Sequence, residues 1–217
     1  WTPPRTWNEL LALGEKIKAK GIAPLTYQGK YPYYMVEGML LPWAVGIGGE
    51  ETMKALQNLE PGAWRSEPVR EAAGMIVELR DKGFFQSGAT AMSHTEAQQE
   101  FLQGKAAMIP CGTWLYSEMR ETLPAGAQME FFLPPVVEGG KGDPTAVMVS
   151  IEPWMVPVAA KNKVAAIELF KHMTSVENAR KFVEAKGTLM AIKGSDENVK
   201  LPKVLENPAK AYRSSTM

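Results

Sequence analysis

Short apolar segments with the character of β-strands alternate with amphipathic helical segments, and this alternation restricts the fold more than any other feature of the sequence. Residues 23–27 and 106–110 are the clearest predicted strands, and capping boxes at residues 6–9 and 93–96 open the helices before them. Helices are also predicted at about residues 32–44, 51–59, 67–82, 163–173 and 176–186, and further extended segments at residues 129–136, 146–151 and 154–159. This order predicts an α/β architecture, a sheet flanked by helices.

The ends of the two clearest strands indicate where a ligand would bind. In α/β folds, ligands lie outside the carboxyl ends of the strands. Aromatic side chains are concentrated at both of these ends, in residues 27–34 and in residues 111–116. The sequence therefore predicts an aromatic binding site formed by these two segments.

The balance of charge and the scarcity of reactive side chains exclude several functional classes. Lys plus Arg and Asp plus Glu each number 24, so the chain offers no basic field for nucleic acid or an anionic membrane. The apolar runs are too short to span a bilayer. Cys111 has no partner for a disulfide, and with His94 and His172 it gives no metal-ligand spacing. No catalytic motif is present, so we predict no cofactor, no metal and no enzymatic activity.

The aromatic and polar side chains of the predicted site suit a carbohydrate. The C–H faces of a pyranose pack on aromatic rings, while amides and carboxylates bind its hydroxyls. The predicted ligand-binding residues are Gln28, Tyr31, Tyr33, Trp114, Glu118, Glu152 and Trp154. Tyr34 and Trp43 are expected to be core residues instead. A glycosidase that uses Glu118 and Glu152 as its carboxylate pair stays open as an alternative, and so does an interaction module without a sugar ligand.

Several segments resemble the family-1 extracellular solute-binding proteins of carbohydrate ABC transporters. Residues 4–10 and 18–24 resemble the helix and strand that open the second lobe of that family. Residues 101–108 with 112–114 resemble its F-x-x-G-K-A-A-M…G-x-W strand and turn, and residues 156–163 with 169–175 resemble its return segment into the first lobe. The N-acetylglucosamine- and diacetylchitobiose-binding lipoproteins of the family are particularly similar, in residues 27–34, 59–64, 94–98 and 109–114.

The resemblance implies a fold of the type II periplasmic-binding-protein class, of which this chain would be a fragment. Residues 1–147 would form most of the second lobe, residues 148–192 the hinge crossover and return segment of the first lobe, and residues 193–217 a connecting tail. The first residues, Trp1 to Pro4, include no initiator Met or signal segment, so we expect a piece excised from a longer protein.

The resemblance also implies a function. The intact protein would capture N-acetylglucosamine or chitobiose between its lobes and deliver it to ABC transporter permease subunits. It would be extracytoplasmic, held to the membrane only through a lipid anchor that this fragment lacks. Another sugar such as malto-oligosaccharide is an alternative, because Tyr33 and Trp114 would match sugar-stacking aromatic residues of maltodextrin-binding relatives.

The last two predicted helices carry apolar faces that the resemblance assigns to the sheet of the first lobe. These faces contain Val164, Ile167, Phe170, Met173, Ala179, Phe182 and Val183. Because most of that sheet would be missing, we expect the segment after Val147 to fold back onto the second lobe, to pair with another chain or to be mobile.

Overall fold

A computed structural model of the protein describes residues 2–150 and 153–215. Its strands are β1 (Ala23–Leu25) and β2 (Ala106–Met108). Its α-helices are α1 (Trp7–Lys18), α2 (Tyr33–Met35, the π-helical turn Val36–Leu40 and Leu41–Gly48 in continuity), α3 (Glu50–Gln57), α4 (Glu67–Asp81), α5 (His94–Leu102), α6 (Trp114–Met119), α7 (Lys163–Met173), α8 (Val176–Lys186) and α9 (Glu206–Ser214). Short 3₁₀ turns lie at Ala63–Arg65, Ala89–Ala91 and Lys203–Leu205.

The two strands pair in parallel at the centre of the first part of the chain. Ala23 lies opposite Ala106, and Leu25 lies opposite Met108. On its other side, Leu25 forms a bridge to Phe85. A parallel pair needs a long crossover connection, which helices α2 to α5 provide. The two clearest predicted strands are therefore confirmed, each shorter than predicted.

The hydrophobic core lies where α1, α2 and α4 pack on this sheet and on one another. Its buried members include Leu10, Ile17, Leu25, Met39, Trp43, Leu56, Val69, Leu79 and Phe84. Trp43, a predicted core residue, is 2% exposed, and its indole N–H donates to the carbonyl oxygen of Pro135 at 3.1 Å. The ring also meets that of Trp7 edge to face, with 5.1 Å between centroids. The core thus joins α2 to the segment that follows α6.

The π-helical turn in α2 has a local cause in the sequence. Pro42 follows the turn, and proline clashes with the carbonyl four residues earlier and lacks an N–H. The helix adjusts by one wide turn, in which the Leu41 N–H donates to the carbonyl oxygen of Val36, five residues back. This turn brings Gly38 against Pro110, which follows β2.

The capping boxes are confirmed at one of the two helices. At α5, the Ser93 hydroxyl accepts from the Glu96 N–H, and the Glu96 carboxylate accepts from the Ser93 N–H. At α1, Thr6 caps the helix as predicted, but the Glu9 carboxylate accepts from the N–H of Arg5 instead of Thr6.

The prediction of a third strand at residues 129–136 is wrong. Among the described residues, this segment pairs only through a single bridge between Thr6 and Val136. Pro134 and Pro135 interrupt it, and proline has no N–H with which to continue a ladder. The described parts of the other two extended segments, residues 146–150 and 154–159, also form no strand. Ile151 lies outside the described residues.

The last predicted helices form with the predicted bounds, and the hydroxyl of Ser175 caps α8 by accepting from the Asn178 N–H. The apolar face of α8 is covered at Ala179 and Val183, which are 0% exposed. Arg120 at the end of α6 donates to the carbonyl of Ala185, so α8 contacts the first part of the chain. In contrast, α7 has no buried residue, and Val164 is 74% exposed. Residues 193–217, predicted as a connecting tail, contain α9.

Candidate functional site

The carboxyl ends of β1 and β2 lead into two loops that lie side by side. Gln28, three positions past the end of β1, is fully buried, and its amide N–H donates to the carbonyl oxygen of Pro110 at 3.2 Å. Gly29 packs so tightly on the 3₁₀ turn at Ala89–Ala91 that an added Cβ would lie 2.3 Å from the Thr90 backbone. The first loop is therefore held at its start, at Gln28 and Gly29, which fixes the position of the aromatic residues that follow.

Four aromatic rings and an imidazole form a continuous series of ring contacts at these loops, called the stack below after its stacked members Tyr33, Tyr34 and His94. Tyr31 meets Tyr33 with 6.3 Å between ring centroids, and Tyr33 stacks on Tyr34 at 4.4 Å. Tyr34 in turn stacks on the imidazole of His94 at 4.8 Å and 12° and lies 6.3 Å from the Trp114 ring. Tyr31 and Tyr33 are 43% and 49% exposed. The stack thus offers an apolar, partly exposed surface built from three separate segments of the chain.

The turn between β2 and α6 determines how Trp114 is presented. An added Cβ at Gly112 would lie 2.0 Å from a carbon of the Trp114 ring, so the indole folds back over this glycine. Any larger residue at position 112 would push the ring away. Trp114 and Glu118 are four residues apart on α6 and therefore share one face of it.

A polar network lies behind the aromatic stack. The Nε2 atoms of His94 and Gln98 and the Oε2 atom of Glu118 are mutually close: 2.8 Å from His94 to Glu118, 2.8 Å from Gln98 to Glu118 and 2.9 Å from Gln98 to His94. Gln98 is fully buried, whereas the Glu118 side chain is 44% exposed. The carboxylate is thus bound from the interior and open toward solvent.

The two other ionisable groups in contact with this network stay neutral. Burial raises the pKa of Tyr34 well above its ordinary value, and contact with Tyr33 raises it further. Burial raises the pKa of the Cys111 thiol to about 12, in spite of hydrogen bonds from Gln98 and Gly112 that lower it. The Cys111 thiol is therefore a small, half-buried group of the turn and not a nucleophile.

The structure brings together four of the seven predicted ligand-binding residues. Tyr31, Tyr33, Trp114 and Glu118 belong to the stack and its network, and Gln28 lies directly beneath, buried. Trp154 lies elsewhere: it is 66% exposed, and its ring centroid is 5.5 Å from that of Phe170 on α7. Glu152 lies outside the described residues.

Sequence reasoning missed three members of the site. Tyr34 was expected to be a core residue, but it joins Tyr33, His94 and Trp114. His94 was interpreted only as part of a capping box, and Gln98 was not singled out. The spacing of His94 and Gln98, four residues apart on a helix, was the signal that could have identified them as neighbours.

An apolar cavity of about 550 Å³ borders the site on the side of Tyr34 and Trp114. Its remaining walls come from the core, from the extended segments at residues 130–135 and 147–150 and from the segments before and within α9.

Two further classes of site are not found among residues 2–150 and 153–215. No cluster of three or more His, Cys, Asp or Glu side chains there is arranged to hold a metal ion. No helix of these residues combines the length and the apolar character needed to span a membrane.

Comparison with known proteins identifies relatives that match most of this chain. The diacetylchitobiose binding protein NgcE of Streptomyces coelicolor is 29% identical over 198 residues, which are 90% of this chain and 42% of that protein. The multiple sugar-binding protein of Streptococcus mutans is 25% identical over 92% of this chain and 47% of its own length. The solved structure of a chitin oligosaccharide binding protein superposes with a TM-score of 0.71 at 24% identity, covering 98% of this chain and 53% of that one.

The chain therefore spans about half the length of the proteins it resembles. The structural likeness confirms the predicted fold, part of the type II periplasmic-binding-protein fold. The family of bacterial extracellular solute-binding proteins matches residues 2–180. This chain belongs to the bacterial extracellular solute-binding protein family.

Proposed function

We propose that this chain forms one side of the sugar site in the substrate-binding component of a carbohydrate ABC importer, without catalytic activity. The observation that carries the proposal is the stack of Tyr33, Tyr34 and Trp114 beside the Glu118 carboxylate, at the carboxyl ends of two parallel strands. Partly exposed rings suit the C–H faces of a pyranose, and the carboxylate suits its hydroxyls. Gln28 contributes by joining the two loops that carry these residues.

We favour N-acetylglucosamine or short chitin oligosaccharides as the ligand. The diacetylchitobiose binding protein of Streptomyces coelicolor and the chitin oligosaccharide binding protein support this choice. The multiple sugar-binding relative supports the alternative of another sugar, such as a malto-oligosaccharide. Glu118 with its bound His94 and Gln98 serves either ligand as an acceptor for hydroxyl groups.

The division into lobes is part of the proposal. Residues 1–147 would form most of one lobe, residues 148–192 the crossover and a return segment of the other lobe, and residues 193–217 the connecting segment that contains α9. The exposed apolar face of α7, and Trp154 beside Phe170, support a covering lobe formed by chain outside these 217 residues. In that arrangement Trp154 and Glu152 would reach the sugar from the second wall.

The proposed mechanism is closure of the two lobes around the sugar, followed by docking of the closed form on permease subunits. Sugar favours closure only through its better contacts in the closed state. The protein would work outside the cytoplasmic membrane, in the periplasm or on the cell surface, where a lipid anchor would hold it to the membrane.

A ligand panel tests the proposal on the full-length protein. Thermal unfolding is measured with N-acetylglucosamine, chitobiose, maltose and raffinose, and the reaction mixtures are then analysed for sugar products. We expect chitobiose or N-acetylglucosamine to raise the melting temperature most. At equal concentration the tightest ligand stabilises the folded protein most, and a ligand at a hundred times its Kd stabilises it by about 2.7 kcal/mol.

Each outcome of the panel has a distinct meaning. A shift with maltose and none with chitobiose would contradict the choice of sugar and leave the binding function standing. Cleavage of chitobiose would favour the hydrolase. No shift with any sugar would refute the proposed function.

A further inference from the structure

Helices α5 and α6 each present two side chains, four residues apart, to the other helix. Of these four side chains, one is a carboxylate, that of Glu118. His94 and Gln98 lie on α5, and Trp114 and Glu118 lie on α6. The ring of Tyr34 lies between them, 4.8 Å from the imidazole and 6.3 Å from the indole. An exposed sugar-stacking surface and a buried polar network therefore meet at Glu118.

Counting donors and acceptors shows what the network does to Glu118. The Gln98 amide can donate to Oε2 of Glu118, and the His94 imidazole can donate to the same oxygen when Nε2 carries the proton. A proton on Nδ1 instead would leave a buried donor unpaired, because Nδ1 of His94 is buried without a partner among the described residues. The Nε2–H form is therefore favoured. In this form the Nε2 atoms of His94 and Gln98, 2.9 Å apart, are both donors and do not bond to each other, so Oε2 accepts a hydrogen bond from each of them.

The other carboxylate oxygen of Glu118 is left available. No hydrogen bond to Oε1 is formed within residues 2–150 and 153–215, and the side chain is 44% exposed. Two donors on Oε2 hold the carboxylate in one orientation, and the exposed side chain lies on the face of α6 that Trp114 shares, so Oε1 is available to a ligand there. An acceptor in a fixed position binds a donor with less loss of side-chain freedom.

We propose that His94 and Gln98 are positioning residues for sugar binding, which aim Oε1 of Glu118 at a hydroxyl or amide N–H of a sugar that lies on Trp114 and Tyr34. This inference rests on the proposed function. Within residues 2–150 and 153–215, no Lys or Arg forms an ion pair with the network, and the nearby Lys30 is bound to Glu96 at 3.7 Å. The site therefore selects neutral sugars that donate hydrogen bonds and rejects uronic acids, whose carboxylate would face that of Glu118.

Affinity measurements on the full-length protein test the positioning role. Replacement His94→Leu removes the donor, and we expect a loss of about tenfold in affinity for chitobiose, the size of one hydrogen bond to a charged group. In a Glu118→Gln background, His94→Leu should change the affinity for chitobiose by less than about twofold. The carboxylate that His94 positions is then already absent, so the loss of its donor has little further effect. The conservative replacement His94→Gln keeps an N–H donor near the position of the His94 Nε2 atom. Its affinity for chitobiose should therefore lie much closer to the wild-type value than that of His94→Leu. Equal losses from His94→Leu in both backgrounds would overturn the inference.

Two further measurements separate positioning from a general structural effect. The Kd for glucuronic acid divided by the Kd for N-acetylglucosamine measures the discrimination between the two sugars. This ratio should fall at least tenfold in Glu118→Gln, a change that a merely structural role would not produce. Imidazole ¹⁵N resonances of the wild-type protein should show the Nε2–H form of His94, a readout that needs neither sugar nor a variant. A proton on Nδ1 would overturn the inference even if no His94 variant folds.

These measurements distinguish failure of the positioning role from failure of the proposed function. If the wild-type protein binds sugar and the discrimination does not change, only the role of the network is refuted. If the wild-type protein binds no sugar, the proposed function fails and this inference fails with it.

Discussion

Replacing Trp114 with alanine should weaken sugar binding and leave the fold intact. The indole is half-buried and is held over Gly112, with Tyr34 at 6.3 Å, so one part of the ring is fixed by the protein and another part faces solvent. A pyranose that covers roughly 60–100 Å² of apolar surface there contributes about 1.5–2.5 kcal/mol at ~25 cal/mol per Å². This free energy corresponds to a loss of affinity of roughly ten- to seventyfold.

Titration calorimetry on the full-length protein measures this loss, and circular dichroism checks the fold. Trp64 offers a matched control, because it lies on the 3₁₀ turn at Ala63–Arg65, away from the site, and is 44% exposed. We expect Trp64→Ala to leave the Kd for sugar within about twofold of the wild-type value, since a surface change away from the site has little effect. A Trp114→Ala protein with preserved fold and an equally unchanged Kd would refute the assignment of Trp114 to the sugar site.

Three other predictions concern buried or paired groups. Trp43→Phe removes the N–H that donates to Pro135 and should lower the free energy of unfolding by about 2 kcal/mol in urea titrations; an unchanged midpoint would contradict this. Cys111 should react with iodoacetamide at pH 8 about a thousandfold more slowly than a free thiol, because of its raised pKa; rapid labelling of the native protein would contradict this. Hydrogen bonds from Ser93 lower the pKa of Glu96, so the stability it contributes is present above about pH 4.3 and is lost as pH falls through the lower folded pKa. Glu96→Gln should abolish that part of the acid dependence, as measured by unfolding at a series of pH values.

Local patterns in the sequence determined the helices and the two strands. The Ser93 capping box, the proline near the start of α4 and the apolar spacing of α7 and α8 act within a few residues, so they can be recognised without knowing the fold. The placement of the site at the carboxyl ends of β1 and β2 also followed from the sequence, because the aromatic segments come directly after the strands.

Tertiary contacts decided the rest. Whether residues 129–136 form a strand depends on a neighbouring strand and on Pro134 and Pro135, and apolar content alone gives the wrong answer. A parallel ladder forms only when a second strand lies about 4.8 Å away, and that partner is not specified by the segment itself.

The candidate site also depends partly on local sequence and partly on tertiary contacts. Sequence reasoning named Tyr33, Trp114 and Glu118 from their side-chain chemistry alone. It could not join them to Tyr34, His94 and Gln98, because those contacts link α2, α5 and α6, which lie dozens of residues apart and meet only when the helices pack. Side-chain type thus determined what the chain can bind, and packing determined which of these side chains meet at one surface.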